Sequence, residues 1–423
     1  MNTLKCLGAC REVGRSGFLL DTGSEKMLFD YGIKLEGEED QRGPATPEDP
    51  GLKIDAALLS HCHLDHSGMM PALYSRGFKG SVFSTATTFD LARILLQDSL
   101  KISKMEGYPQ HFLKKDLDHM ISKERRVTYG QHFPVGNTDV SVYDAGHIPG
   151  SCSFYADTGE KKILYTGDIN TIDTRLVTGL KPNYPDVDVL ITESTYSQHN
   201  HNPRDELEEG FLDKVKERLA TDGNVLVPAF AIGRSQELMM VLHQEKLGVP
   251  IYLDGMAVDA TKKILQYPEF LNNPDELKEA YHDVKTLSSD KHRKKAINGP
   301  SIVVTTSGML SGGPINYYIK EMYRESNCSI LLTGYQVEDT AGRKLLDTGI
   351  YKPGKLDLDV NCYHELFDFS AHAGRDELFN FVNQVDPEKV VTVHGDETDV
   401  FAKELRNKGY DAVAPEIGDK LEL

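Results

Sequence analysis

Apolar residues in the first half of the chain fall in runs of strand length, separated by Gly- and Asp-rich turns. Such runs lie at 17–21, 26–31 and 55–60, and again at 139–143, 153–157, 162–166 and 188–192. Short apolar runs bounded by turn residues predict buried strands. A helical stretch is predicted at 69–74 and a longer one at 87–101, while the charged and aromatic segment 103–126 reads as helices lying over a site. The pattern changes near Tyr196. From there helices at 204–220, 235–244 and 257–266 alternate with strands at 224–228 and 250–253, and further strands follow at 301–305 and 329–333. Strand alternating with helix predicts a parallel sheet covered by helices. After residue 367 come a helix at 376–385, a strand at 389–393 and a last helix at 398–408. The expected division is therefore 1–195, 196–365 and 366–423, with the last part returning to the first domain.

Length supports that division, since 423 residues exceed what one ordinary core holds. A net charge of −18 excludes a generally basic nucleic-acid-binding surface, but leaves room for positive potential along a single groove. No apolar run approaches the ~20 residues of a membrane span. The opening residues Met1 to Gly8 lack the apolar core of a secretory signal, so the expected location is cytoplasmic. The six cysteines are scattered without a CxxC pair and read as free, buried thiols. Cys62 stands between two candidate ligands, but in an extended segment its side chain points away from both neighbours.

The candidate chemistry is concentrated at Ser60-His61-Cys62-His63-Leu64-Asp65-His66-Ser67-Gly68, directly after a predicted strand. His61 and His63 can project to one side of an extended segment, and Asp65 and His66 then turn towards a second position. Imidazole and carboxylate suit zinc or a similar transition metal. A lone loop histidine is usually a solvated or capping residue; three with an aspartate inside six residues are not. Two later strand ends add His147, within Asp144-Ala145-Gly146-His147, and Asp168, within Thr166-Gly167-Asp168. Asp168 is the natural bridging ligand, because one carboxylate can contact two cations about 3.5–4 Å apart.

This HxHxDH loop with its later His and Asp resembles the metallo-β-lactamase fold, an αββα sandwich holding two metals. Three further segments resemble motifs A, B and C of the β-CASP nucleases: Thr192-Glu193-Ser194, Ser370-Ala371-His372-Ala373 and Val393-His394-Gly395. The resemblance extends to Val227-Pro228-Ala229-Phe230-Ala231-Ile232-Gly233-Arg234, to Thr306-Ser307-Gly308-Met309, and to Gly334-Tyr335-Gln336 with Thr340-Ala341-Gly342-Arg343. The wording is most similar to the branch of the cleavage and polyadenylation specificity factor endonuclease, and within it to short archaeal members without KH domains. The pattern departs from the family at Ser197-Gln198-His199, where Gly-Asp-Arg is usual, and at Asp339, where a Gly is common.

The implied fold is α/β: a metallo-β-lactamase αββα sandwich with an inserted β-CASP domain. The implied activity is in-line hydrolysis of phosphodiester bonds in single-stranded RNA, as a 5′→3′ exonuclease, an endonuclease or both. The implied cofactors are two Zn2+ per chain, with Mn2+ or another divalent ion as the alternative. His61, His63 and His147 are expected to hold one ion, Asp65, His66 and His394 the other, and Asp168 both. Asp65 is expected to orient water, and His372 to act as general acid with Glu193 setting its orientation and charge. Ser307 and Gly308 are candidates for a phosphate contact, with Arg234 and Arg343 beside them; tight turns and structural ion pairs are the plainer readings of these four. His199 and His201 read as loop residues. A homodimer is expected, with the tail 413–423 as its candidate contact. Two other functions remain open at this point: hydrolysis of a small thioester or lactam, and a non-catalytic scaffold subunit of an RNA-processing complex.

Overall fold

The computed structural model describes residues 1–34, 43–51, 53–336, 340–352 and 357–423, so Asp339 lies outside the described residues. Two compact units emerge: Met1–Asp173 with Gly179–Asn200 and His372–Leu423, and Thr174–Thr178 with His201–Ala371.

The first unit contains two seven-stranded sheets. One runs, in spatial order, Lys420–Glu422, Thr3–Gly8, Gly17–Asp21, Lys26–Phe29, Ala56–Leu58, Ser81–Thr85 and Glu124–Val127. The other runs Asp411–Val413, Lys389–Val393, Val189–Glu193, Lys162–Tyr165, Cys152–Asp157, Thr138–Asp144 and His132–Val135. Alternate residues of each strand face the space between the sheets: Leu4, Phe18, Leu20 and Phe29 from the first meet Val140, Phe154, Tyr165, Ile191 and Val391 from the second in one core. Phe18, Phe29 and Phe154 are fully buried there, each worth about 1.5–3 kcal/mol of burial. The opposite face of the second sheet is covered by Leu378, Phe381, Phe401 and Leu405 of the helices Arg375–Val385 and Thr398–Asn407. The helix Ala86–Glu106 packs on the strands Ser81–Thr85 and Glu124–Val127 of the first. These are the four layers of an αββα sandwich.

Each sheet is antiparallel at one end and parallel at the other. In the first, parallel pairing begins where Lys26–Phe29 meets Ala56–Leu58; in the second, where Lys162–Tyr165 meets Val189–Glu193, which in turn pairs with Lys389–Val393. Parallel strands place their C-terminal ends on one edge, and loops leaving that edge are where polar groups gather.

The second unit is built on one six-stranded sheet in the order Lys285–Leu287, Ile251–Asp254, Ser301–Thr305, Asn224–Pro228, Ser329–Leu332 and Tyr363–Leu366, with every pairing parallel. Leu226, Val303 and Ile330 of its strands pack against Ile315, Ile319 and Leu345 of the helices Ile315–Met322 and Ala341–Thr348. This is the helix-covered parallel sheet that the alternation predicts.

Two local expectations change. Segment 103–126 is not helical throughout: the helix Lys114–Ser122 is followed by the strand Glu124–Val127, paired in parallel with Ser81–Thr85. Its arginines 125 and 126 are exposed on an edge strand, which removes the apolar signal that strands usually carry. The strand expected at 26–31 stops at Phe29, because Asp30 takes a positive φ of 54°.

Candidate metal centre

Five parallel strands of the first unit deliver the polar groups from their C-terminal ends. Asp30 follows Lys26–Phe29, the loop from Ser60 to His66 follows Ala56–Leu58, and Asp168 follows Lys162–Tyr165. Glu193 ends Val189–Glu193, and His394 follows Lys389–Val393. His147 arrives on the loop after Thr138–Asp144, where Gly146 holds a φ of 70° and its missing Cβ would lie 2.3 Å from the Asn170 carbonyl oxygen.

The side chains converge on two neighbouring positions. His61 Nε2 lies 3.2 Å from His63 Nδ1, which is 3.4 Å from His147 Nε2. Nearby, Asp65 Oδ2 is 3.3 Å from His394 Nε2 and 3.9 Å from His66 Nε2. Between the two sets, Asp168 Oδ2 lies 3.6 Å from His61 Nε2, 3.3 Å from His66 Nε2 and 3.9 Å from His147 Nε2. Ligand atoms of His61, His63 and His147 form one group within 4.8 Å, and those of Asp65, His66 and His394 form another.

Asp30, which spacing alone did not single out, organises this convergence. Its Oδ1 accepts from the Ser60 backbone N–H at 2.7 Å, and its Oδ2 accepts from Ser60 Oγ and Tyr165 Oη, each at 2.6 Å. The same Oδ2 lies 2.7 Å from His66 Nδ1. Ser60 Oγ is 3.1 Å from His61 Nδ1, and having given its one proton to Asp30 it must accept from that ring. The hydrogen bonds thus assign the protons of both rings to Nδ1 and turn both Nε2 lone pairs inward. The only sequence trace of this role is a charged residue at the end of an apolar strand, in Phe29-Asp30-Tyr31-Gly32.

Lone pairs and carboxylate oxygens facing one another at 3–4 Å repel unless a cation or added protons lie among them. Burial and the neighbouring His66 hold His61 well below the usual imidazole range. Burial also opposes charge on His66, yet Asp168, Asp65 and Asp30 raise its pKa well above that range. Asp168 is held well below the carboxylate range: burial works against its charge, and His394, His66 and His61 outweigh it. Asp168 Oδ1 is buried without a hydrogen bond among the described residues, although His394 Nδ1 stands 3.4 Å away. A set of five histidine ring nitrogens and two carboxylates, one with an unsatisfied buried oxygen, fits divalent cations bound by N and O ligands. Cys62 is buried and outside these groups.

A loop between the first two strands braces the His394 side. Ala9, Arg11 and Arg15 all have positive φ, as does Gly14. Ala9 O accepts from the His394 N–H at 2.7 Å and Glu12 O from the Gly395 N–H at 3.1 Å, while His394 itself sits at φ 48°. Glu12 locks the loop through Arg15 at 2.5 Å and Lys34 at 2.9 Å. Ser16 N–H then donates to the Asp65 carbonyl at 2.8 Å. Gly32 lies so close that a Cβ there would stand 1.8 Å from that same carbonyl oxygen.

His372 stands beside the cluster. Its Nδ1 is 3.0 Å from each oxygen of Glu193, which is buried and also accepts from the Ile169 N–H at 2.7 Å. Burial opposes its charge, but Glu193 raises its pKa to about 9. A ring nitrogen of His372 falls within 4.8 Å of ligand atoms of His147 and Asp168.

The four remaining candidates belong to the second unit. Ser307 and Gly308 follow the strand Ser301–Thr305, with Gly308 O accepting from Gln336 Nε2 at 3.1 Å. The Gly342 N–H donates to Met309 O, which draws the start of the helix Ala341–Thr348 to the same loop. Arg234 opens the helix Arg234–His243, and Arg343 is paired with Asp347 at 2.8 Å one helical turn on. His201 is paired with Asp368 at 2.9 Å.

Comparison with known proteins agrees with this architecture. A model of the metallo-beta-lactamase superfamily domain matches residues 19–187, and one of the Beta-Casp domain matches 235–345. A model of a Zn-dependent metallo-hydrolase RNA specificity domain matches 357–415. The chain is 39% identical to the "Probable RNase MJ4" of Methanocaldococcus jannaschii, over 98% of this chain and 99% of that one. It is 37% identical to "RNase aCSPSF2" of Saccharolobus solfataricus, over 99% and 85%. It is 34% identical to "Transcription termination factor FttA" of Thermococcus kodakarensis, over 92% and 66%. A crystal structure of a protein of unknown function from Enterococcus faecalis V583 shares the fold along the full length of both chains, with a TM-score of 0.63 at 12% identity. With a full-length relative this similar, and with both domain models matched on a sandwich whose strand ends gather histidines and aspartates, the chain belongs to the Beta-Casp family of the metallo-beta-lactamase superfamily.

Proposed function

We propose that the protein is a two-metal ribonuclease that hydrolyses phosphodiester bonds of single-stranded RNA, as a 5′→3′ exonuclease, an endonuclease or both. The observation that carries this reading is the His372–Glu193 pair set against the ligand cluster. A metal cluster alone suits many hydrolases, whereas a histidine charged by a buried carboxylate beside it suits a reaction with a poor, basic leaving group. His61, His63 and His147 would hold one ion, Asp65, His66 and His394 the other, and Asp168 both. Bound there, two Zn2+ ions (or Mn2+ or another divalent ion) would supply Lewis acidity, making water more acidic and neutralising charge on the phosphoryl oxygens.

The chain's own residues do the rest. Asp65, fixed through its backbone by Ser16, orients the attacking water. As water adds to phosphorus and the bond to the 3′ oxygen breaks, His372 gives that oxygen a proton, leaving a 3′ hydroxyl and a 5′ phosphate. Glu193 accepts from Nδ1, so the donating proton is the one on Nε2. In the second unit, Ser307 and Gly308 offer a hydroxyl and an open backbone to a phosphate, with Arg234 and Arg343 as further anchors.

The test is degradation of 5′-labelled and 3′-labelled single-stranded RNA by the purified chain and by His394→Ala. Immediate mononucleotide release from the 5′ end, lost in the variant, supports the exonuclease; discrete internal fragments support the endonuclease. Intact RNA with metal bound would refute the reading and favour a small thioester or lactam. The same reading places the enzyme in the cytoplasm as a homodimer joined through its tail, where the strand Lys420–Glu422 forms one edge of a sheet. A monomer by light scattering at micromolar concentration would remove the dimer.

A further inference from the structure

The second unit carries a segment whose charge runs against the rest of the chain. Residues 285–295 hold five Lys or Arg and one acid, in a protein with 65 acidic and 47 basic residues. The centre of this segment is the helix Asp290–Ala296, capped at its start by Ser289. Arg293 anchors it: Nε lies 2.7 Å from Oδ2 of the fully buried Asp254, and Nη1 lies 2.7 Å from Asp290. Asp254 Oδ2 also accepts from Tyr318 Oη at 2.6 Å, so the anchor is itself fixed.

Lys291, Lys294 and Lys295 share the other side of the helix, at the i, i+3 and i+4 positions that stand next to one another. All three are exposed, and no carboxylate among the described residues lies within ion-pair distance of them. The helix dipole accounts for cations in the last turn, where Lys294 and Lys295 lie, but it disfavours Lys291 in the first. Like charges at this spacing destabilise a helix. Arg293 and the helix dipole therefore account for the fold of this helix, but not for Lys291 or for the close spacing of three like charges. Lys285, exposed on the edge strand Lys285–Leu287, stands 6.0 Å over the ring of Tyr252 and adds a cation–aromatic pair to the same segment.

We propose that the outer face of the helix Asp290–Ala296 is a docking surface for the backbone of single-stranded RNA, with Lys291, Lys294 and Lys295 as phosphate contacts. The proposal rests on the ribonuclease reading above and adds to it a surface that holds RNA without cutting it. Unpaired lysines spaced along one face track a backbone without reading its sequence.

The test uses the full, zinc-loaded chain carrying His372→Ala to slow turnover, and a uridine homopolymer as probe. Its dissociation constant is measured across a series of salt concentrations, with and without Lys291→Gln, Lys294→Gln and Lys295→Gln combined. Loss of three single-strand contacts is expected to lower the slope of log affinity against log salt by about 2, with affinity restored by three arginines in place of the lysines. In the otherwise unchanged enzyme, cleavage of a dinucleotide should be unaffected by the triple substitution. Unchanged affinity and slope would overturn the proposal, as would an equal loss of dinucleotide cleavage. Loss of heparin binding with RNA binding intact would assign the surface to another polyanion and also overturn it. If the unsubstituted chain neither binds nor cleaves any RNA, the ribonuclease reading beneath it has failed instead.

Discussion

The imidazole Nδ1 of His372 lies equidistant, at 3.0 Å, from both carboxylate oxygens of Glu193. This geometry makes Glu193 a partner of His372, and on the proposed mechanism the proton given to the leaving oxygen is the one on Nε2. His372→Ala is expected to lower kcat by roughly a hundredfold or more while leaving zinc content at the wild-type level. Glu193→Gln should give a smaller loss in the same direction. A drop in bound zinc in His372→Ala would make the histidine a ligand, since its ring also falls among the atoms of His147 and Asp168.

Asp30 is expected to matter for metal affinity although it faces no ion. Replacing it with Asn removes the charge that orients His66, Ser60 and, through Ser60, His61. Loss of such a supporting carboxylate typically costs 10–100-fold in metal affinity. Competition with a zinc-chelating dye measures it directly, and wild-type affinity in Asp30→Asn would remove Asp30 from the site.

Glu12→Gln separates the two halves of the centre. It breaks the pairs with Arg15 and Lys34 that lock the loop under His394. The expected outcome is selective loss of the ion held by Asp65, His66 and His394, with the His61, His63 and His147 side retained. Elemental analysis of dialysed protein should then show the metal content of the variant reduced by half. Full loading would mean the loop is rigid without its ion pairs.

Chelation should destabilise the folded chain. With free zinc a thousandfold above its dissociation constant, binding contributes about 4 kcal/mol per independent site. The melting temperature should therefore rise on adding zinc to the chelated protein. An unchanged melting temperature in that titration would mean that the buried histidines and aspartates neutralise one another without an ion.

What could be read from the chain was local. The HxHxDH spacing, the small residues around His147 and the strand-helix alternation after Tyr196 each declare themselves within a dozen residues, and the structure gathers those side chains at strand ends. Asp30 could not be read this way, because its partners lie 30, 36 and 135 residues away. The strand Glu124–Val127 was missed because an edge strand can present Arg125 and Arg126 to solvent. The bracing role of residues 9–15 depends on main-chain conformation and on bonds to His394 and Gly395, which side-chain identity does not encode.

The strand Lys389–Val393 inserts between Val189–Glu193 and Asp411–Val413, so the sheet that carries His394 is completed only after the second unit has been synthesised. A ribosome that has reached residue 371 has already made every other group of the proposed centre, but neither His372 nor His394. Until those two emerge, the nascent polypeptide lacks both its proton donor and one ligand. A polypeptide cut short by a premature stop lacks them permanently. On the proposed mechanism, the order of synthesis thus leaves the growing chain without a complete centre until residue 394 has been made.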